Sequence, residues 1–185
     1  MKIKQIKLYV VDLPCADPEG GYTYGGGTFR KQDAVIAEVV CDDGMSGWGE
    51  HTTIGGIYVE SCWKTTLAAL EFMAPTLIDR DPRDIGVIHA LMEKTLKGHR
   101  YAKTAIDYAC WDLLGKACEM PVYQLLGGRQ AASSPMYAVL QAFPDSGRTR
   151  AQFDEWRRRG YRFFQIKVGD NVQKAVERDR KSTRL

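Results

Sequence analysis

Gln165-Ile166-Lys167 is the stretch of this 185-residue chain that points most directly to chemistry. It lies in the apolar run Phe163 to Val168, which reads as a strand. Side chains alternate across a strand, so Gln165 and Lys167 share a face. At the C-terminal end of a strand in a parallel α/β array, that face can line an interior where catalytic groups collect. Burying a lysine there strips water from its ammonium, lowers its pKa and suits it to general-base work. The competing reading is a solvated lysine at a strand end, and the residues alone leave both open.

Two glycine-rich segments come next. Gly20-Gly21-Tyr22-Thr23-Tyr24-Gly25-Gly26-Gly27-Thr28 is no phosphate cradle, because no Gly-Lys-Ser/Thr follows it and no strand-to-helix turn surrounds it. Glycine-flanked aromatics suit a hinged flap that excludes water, or a plain connection between strands. The aromatic faces of Tyr22 and Tyr24 also suit a cationic ligand. Gly47-Trp48-Gly49-Glu50 leads into His51 to Tyr58, and Trp48 at a strand end reads as packing. His51, His89 and His99 are sequence-distant singles without ligand spacing and read as structural or surface residues. Asp107 and Asp112 do not share a helix face well, so they read as capping or pairing groups near a domain interface rather than paired catalytic carboxylates.

The elements that must position these residues follow from pattern. Residues 2–13 alternate as a strand with one irregular step at Gln5, and 33–41 and 45–50 form two more, joined by an Asp42-Asp43-Gly44 hairpin turn. Residues 15–28 read as loop. Helical stripes cover 60–74 and 82–97, with Pro82 in the first turn of the second. A third helix covers 102–118, where Ala102, Ala105, Ile106, Ala109, Leu113 and Leu114 give a small-residue face fit for close packing. Gly115 lies near its end and Pro121 stops continuation. From Met136 the rhythm becomes strand, helix (148–159), strand (163–168), then a helix from about Val172, which is the rhythm of a parallel α/β fold. The fold class is therefore an α+β domain over 1–128, a three-stranded antiparallel meander plus helices, followed over 129–185 by the first β/α units of a barrel too short to close.

Composition narrows the function classes. Hydrophobic residues make up 44% and charged residues 26%, as in a soluble globular protein. The net charge of +3 comes largely from Arg157-Arg158-Arg159 and the stretch Lys174 to Arg184, which reads as a solvated helix face rather than a nucleic-acid surface. No apolar run approaches the roughly 18 residues of a membrane span. Five scattered cysteines without a Cys-x-x-Cys pair suggest free thiols in a reducing cytoplasm.

The segment Ala102 to Lys116, with Leu125-Leu126-Gly127-Gly128, Gly47-Trp48-Gly49-Glu50, Asp81-Pro82-Arg83, Gly98-His99-Arg100-Tyr101-Ala102-Lys103 and Gln165-Ile166-Lys167-Val168-Gly169 in this order, resembles the mandelate racemase / muconate lactonizing family of the enolase superfamily. The closest look is to members acting on proline betaines and hydroxyprolines. The resemblance implies an N-terminal capping domain, or lid, over a (β/α) barrel. It implies a magnesium-dependent (Mg2+) racemase or epimerase that abstracts the proton α to the carboxylate of an amino-acid-like substrate through an enediolate. Lys167 matches the second lysine of the family's Lys-x-Lys motif and is the expected base. Gln165 stands where the family often has lysine, so it can hydrogen-bond a carboxylate but brings no charge. Tyr22, Tyr24 and Tyr58 are the expected substrate contacts, the tyrosines of two specificity loops.

The metal ligands are expected beyond residue 185, so none is assigned within 1–185, and the chain is read as an N-terminal fragment that lacks turnover alone. The expected partner is a small carboxylate, one bearing an ammonium group being favoured, with no nucleic acid, no membrane and a homo-oligomer at full length. The alternatives are a hydroxyproline or sugar-acid dehydratase of the same superfamily, and a noncatalytic interaction module that keeps the lid fold.

Overall fold

The computed structural model describes residues 1–16, 20–24, 27–53, 59–141, 146–167, 173 and 176. The chain separates into two compact units, Met1–Leu13 with Gln32–Gln130 and Pro14–Lys31 with Ala131–Leu185.

The first unit is built on a sheet of order β1 (Ile3–Pro14), β4 (Lys31–Cys41), β5 (Ser46–Thr52). β4 and β5 pair antiparallel, with Ala37 opposite Gly49 and Glu38 opposite Trp48. Their turn closes as the Asp-Gly pair requires. Gly44 takes φ +87° and donates to the Cys41 carbonyl at 3.1 Å, while the Asp43 carboxylate accepts from the Met45 amide at 3.0 Å. Helices α1 (Trp63–Met73), α2 (Ile85–Thr95) and α3 (Arg100–Ala117) complete the unit. Ile3, Val35, Ala37 and Val39 of the sheet form one core with Leu70, Met73, Ile88, Met92, Ile106 and Leu113 of the helices. The expected antiparallel meander with helices is what the chain forms.

Helix α3 and the Gly-Trp-Gly-Glu strand explain each other. A Cβ on Gly49 would collide with the Ala105 carbonyl oxygen and lie 2.8 Å from the Ala109 nitrogen. A Cβ on Gly47 would collide with the Ala109 carbonyl and lie 2.6 Å from Leu113 Cγ. Two glycines on one strand face and two alanines one helical turn apart thus let α3 lie backbone to backbone on β5. Gly115 serves the far end, where the chain folds back and the Met120 amide donates to the Gly115 carbonyl at 2.9 Å.

The other face of the sheet carries a buried charge. The Glu38 side chain is only 12% exposed and accepts from Tyr9 Oη at 2.7 Å and Lys7 Nζ at 3.1 Å. Tyr9 in turn stacks on Trp48, with ring centroids 5.9 Å apart. The Tyr9 hydroxyl first and the Lys7 ammonium second hold the Glu38 carboxyl below its ordinary value of 4.5, against the pull of desolvation. A depressed folded-state pKa gives stability that is present above pH 4.5 and lost as pH falls through the lower folded value. Glu38→Gln is therefore expected to flatten the acid limb. Urea midpoints measured from neutral pH downward should fall less steeply for the variant than for the wild type below pH 4.5. Parallel curves would remove Glu38 from the account.

Three sequence expectations change. Residues 15–28 are not only loop, because β2 (Tyr22–Tyr24) and β3 (Gly27–Phe29) pair as a short antiparallel hairpin. Pro82 does not open α2. The Asp81 carboxylate accepts from the Arg83 amide at 2.9 Å and from the Arg83 guanidinium at 2.6 Å, which holds 81–83 in a turn, and the helix starts after Asp84. Pro121 stops α3 but immediately starts a single helical turn, α4 (Val122–Leu125).

The second unit contains the β2–β3 hairpin and a β-α-β segment. β6 (Tyr137–Leu140) and β7 (Phe163–Ile166) pair in parallel, joined through α5 (Ser146–Arg158). Parallel neighbours need such a crossover, as the strand–helix–strand rhythm predicted.

Candidate active site on the second strand of the β-α-β segment

Which face of β7 carries which side chain is set by α5. Phe164 packs its ring against Phe153 of α5, with centroids 4.7 Å apart. Register places Ala138 beside Phe164 and Leu140 beside Ile166, and Ala138 and Leu140 are buried. Those four residues form the helix-facing side. By alternation, Tyr137, Val139, Phe163 and Gln165 form the side away from α5. Tyr137 and Phe163 on that side are largely exposed, an apolar face on a sheet of two strands.

Lys167 closes the ladder: its amide donates to the Leu140 carbonyl at 2.9 Å, the bond that completes the Leu140–Ile166 pair at which β7 ends. Alternation carried one residue past that end gives Lys167 the parity of Gln165, on the side away from α5. Gln165 is exposed and Lys167 half-buried. The strand end is anchored next door as well, because the Gln141 amide donates to Gln152 Oε1 of α5 at 2.9 Å. By that parity an amine and an amide lie on one face. The amine can move a proton and the amide can hydrogen-bond a carboxylate.

Of the three tyrosines, Tyr22 is half-buried in β2, opposite Phe29, with the two rings 5.3 Å apart. The backbone of Tyr24 pairs with Gly27, while its side chain lies outside the described residues, as does the whole of Tyr58. Among the described residues no group of three or more His, Cys, Asp or Glu side chains could hold a metal ion. No helix of the described residues is long and apolar enough to cross a membrane.

The histidines and aspartates set aside as noncatalytic have structural surroundings. His89 Nε2 lies 2.6 Å from Asp107 Oδ1, which ties α2 to α3. His51 stacks on Tyr101 at 5.5 Å, and burial, opposed by Glu50, lowers its pKa. His99 takes a left-handed conformation, φ +51°, just before α3. Asp112 accepts from the Trp48 amide at 2.9 Å and from Lys116 Nζ at 2.7 Å. Lys103, which the sequence reading passed over, is buried. It donates to the Leu96 carbonyl and to Glu93 Oε1, both at 2.6 Å, and so caps the C-terminal end of α2. Trp48 packs on Tyr9 as expected, yet stays 46% exposed.

Residues 9–127 match the sequence profile described as the mandelate racemase / muconate lactonizing enzyme, N-terminal domain. A cis-3-hydroxy-L-proline dehydratase of Roseibium aggregatum is 38% identical over 180 residues, which cover 96% of this chain and 48% of that protein. An N-succinyl-L-Arg/Lys racemase of Bacillus cereus is 35% identical, over 96% of this chain and 47% of that protein. The crystal structure of an enolase superfamily member from Roseovarius nubinhibens, complexed with magnesium, superposes with a TM-score of 0.82 at 29% identity, covering 95% of this chain and 46% of that one. The chain thus spans about half the length of the curated relatives it matches.

Proposed function

The chain belongs to the mandelate racemase / muconate lactonizing enzyme family, and from that premise we propose that the whole protein takes the proton next to a substrate carboxylate and returns one to the opposite face of the carbon. The outcome is racemisation or epimerisation of an amino-acid-like acid. One observation carries the reading: Lys167 and Gln165 share the side of β7 turned away from α5, with Lys167 at the strand's C-terminal end. In a closed (β/α) barrel the side away from the helices is the interior, and C-terminal strand ends carry the catalytic groups.

In this proposal neutral Lys167 Nζ takes the α-proton and becomes an ammonium. The electron pair left on carbon spreads into the carboxylate as an enediolate. The Gln165 amide donates to a carboxylate oxygen and orients the α-carbon toward Lys167, without a second positive charge. Tyr22, with Tyr24 and Tyr58, contacts the part of the substrate beyond the reacting carbon, where aromatic faces favour an ammonium group. Magnesium, in this superfamily, supplies positive charge to the enediolate. Among the described residues no cluster of three metal-ligating side chains is present, and none is assigned to hold it. Lys167 takes the proton from its own face, and the proton returned to the opposite face comes from a second acid that none of the described residues is assigned to supply.

Dehydration is the second reading, favoured by the 38% identity to the Roseibium dehydratase. It shares the first step and ends by expelling a β-hydroxyl. Incubating the whole protein with magnesium in D2O, first with N-acyl amino acids and proline betaine and then with hydroxyprolines, separates the outcomes by NMR and chirality. Inverted product carrying α-deuterium supports the racemase, and loss of water from a hydroxyproline supports the dehydratase. Neither deuterium uptake nor elimination on any of these acids would overturn the proposal.

A further inference from the structure

Among the described residues β5 is an edge strand, paired with β4 on one side only. An edge of this kind presents a row of backbone N–H and C=O groups that can recruit another strand. Sequences blunt such edges with proline, lysine or bulges on the strand itself. β5 reads Ser-Gly-Trp-Gly-Glu-His-Thr, with neither proline nor lysine, and its two glycines keep it thin.

The edge is met from α3 instead. The Trp48 amide donates to Asp112 Oδ2 at 2.9 Å, and the Ser46 carbonyl accepts from Lys116 Nζ at 2.8 Å. In an antiparallel ladder a residue's N–H and C=O point the same way, and residues two apart point alike. Ser46 and Trp48 are two apart, so these are consecutive outward-pointing groups of one edge. Asp112 and Lys116 also bond each other at 2.7 Å, one helical turn apart. Their side chains are 34% and 43% exposed, a setting in which the ion pair alone contributes little. Satisfying the strand's backbone is the contribution that the geometry singles out.

We infer that Asp112 and Lys116 form an edge guard: they occupy the backbone groups through which β5 would pair with β5 of a second copy of this chain. The second copy is the occupant the edge fits. Two identical edges can pair antiparallel about a two-fold axis, each offering the Ser46 carbonyl and Trp48 amide that the other needs. Held by the guard, the edge contributes no strand pairing between copies, whatever other surfaces do.

The test is D112A/K116A in the 185-residue chain, compared with wild type by sedimentation across a concentration series and by hydrogen exchange at the Trp48 amide. The variant is expected to shift toward species of twice the wild-type mass as concentration rises. Its Trp48 amide should exchange about tenfold faster when dilute and regain protection when concentrated. D112N keeps an oxygen that accepts from Trp48 and should behave as wild type in both measurements. If D112A/K116A loses its circular dichroism, Lys116→Met alone opens the Ser46 carbonyl and should show a smaller shift in the same direction. Unchanged mass distribution and unchanged Trp48 exchange in the folded variant would overturn the inference, as would D112N associating like the double variant.

Discussion

Gly49→Ala is expected to lower the stability of the first unit by about 3 kcal/mol or more, the range reached when an added group meets packed backbone rather than a yielding side chain. The new methyl would run into the Ala105 carbonyl and crowd the Ala109 nitrogen, both of them backbone atoms inside α3. α3 would have to lift off β5, and the core it carries, Ile106, Cys110 and Leu113, would lift with it. Gly44→Ala provides the contrast. Gly44 sits in open space at φ +87°, so alanine there meets only the left-handed backbone penalty of about 1 kcal/mol. Urea midpoints of the two variants decide the matter. A Gly49→Ala cost no larger than that of Gly44→Ala would show that α3 does not need the missing Cβ.

The second large effect is on activity. Lys167→Ala in the whole protein is expected to lower turnover by about 10²–10⁴-fold, the usual contribution of a positioned general base. Folding should be unaffected, because Lys167 is held in the ladder by its backbone amide rather than by its side chain. Gln165→Ala is expected to act differently. It removes a hydrogen bond made to the carboxylate in ground and transition states alike, so KM should rise more than kcat falls. Steady-state kinetics on the two variants gives the split. Equal effects of both on kcat would mean that the two side chains do not have the separate roles assigned to them.

Local patterns revealed most of the architecture. Alternation marked β1, β4 and β5, the Asp-Gly pair marked their turn, and helical stripes marked α1, α2 and α3. The β-α-β rhythm is a local regularity and stands in the fold; the shared face of Gln165 and Lys167 is the same kind of regularity, alternation carried past the last paired residue, Ile166. What stayed hidden depends on partners far along the chain. The Glu38 carboxylate is buried because Lys7 and Tyr9, some 30 residues earlier, reach it from the neighbouring strand. Gly47 and Gly49 looked like flanks of a tryptophan, but their reason is a helix that begins at Arg100. The Asp112 and Lys116 side chains answer to backbone groups on β5, which no periodicity encodes. The β2–β3 hairpin was missed because three residues per strand are too few to show alternation. The start of α2 was misplaced because the Asp81–Arg83 turn captures Pro82 first.

The order of the motifs is also a statement about labour. The long helix that carries the family resemblance contributes packing, an edge contact and a cap to a neighbouring helix. The chemistry proposed for this chain rests on a short strand that begins 46 residues past the end of α3.

The most direct test of that proposal follows a single proton. The whole protein, with magnesium and a turned-over amino-acid-like carboxylate, is placed in D2O, and deuterium at the α-carbon is followed by NMR beside the Lys167→Ala and Lys167→Arg variants. The account predicts inverted product carrying α-deuterium with the wild type and none above background with either variant, since alanine has no base and arginine does not give up its proton. Undiminished α-deuterium with Lys167→Ala would contradict it.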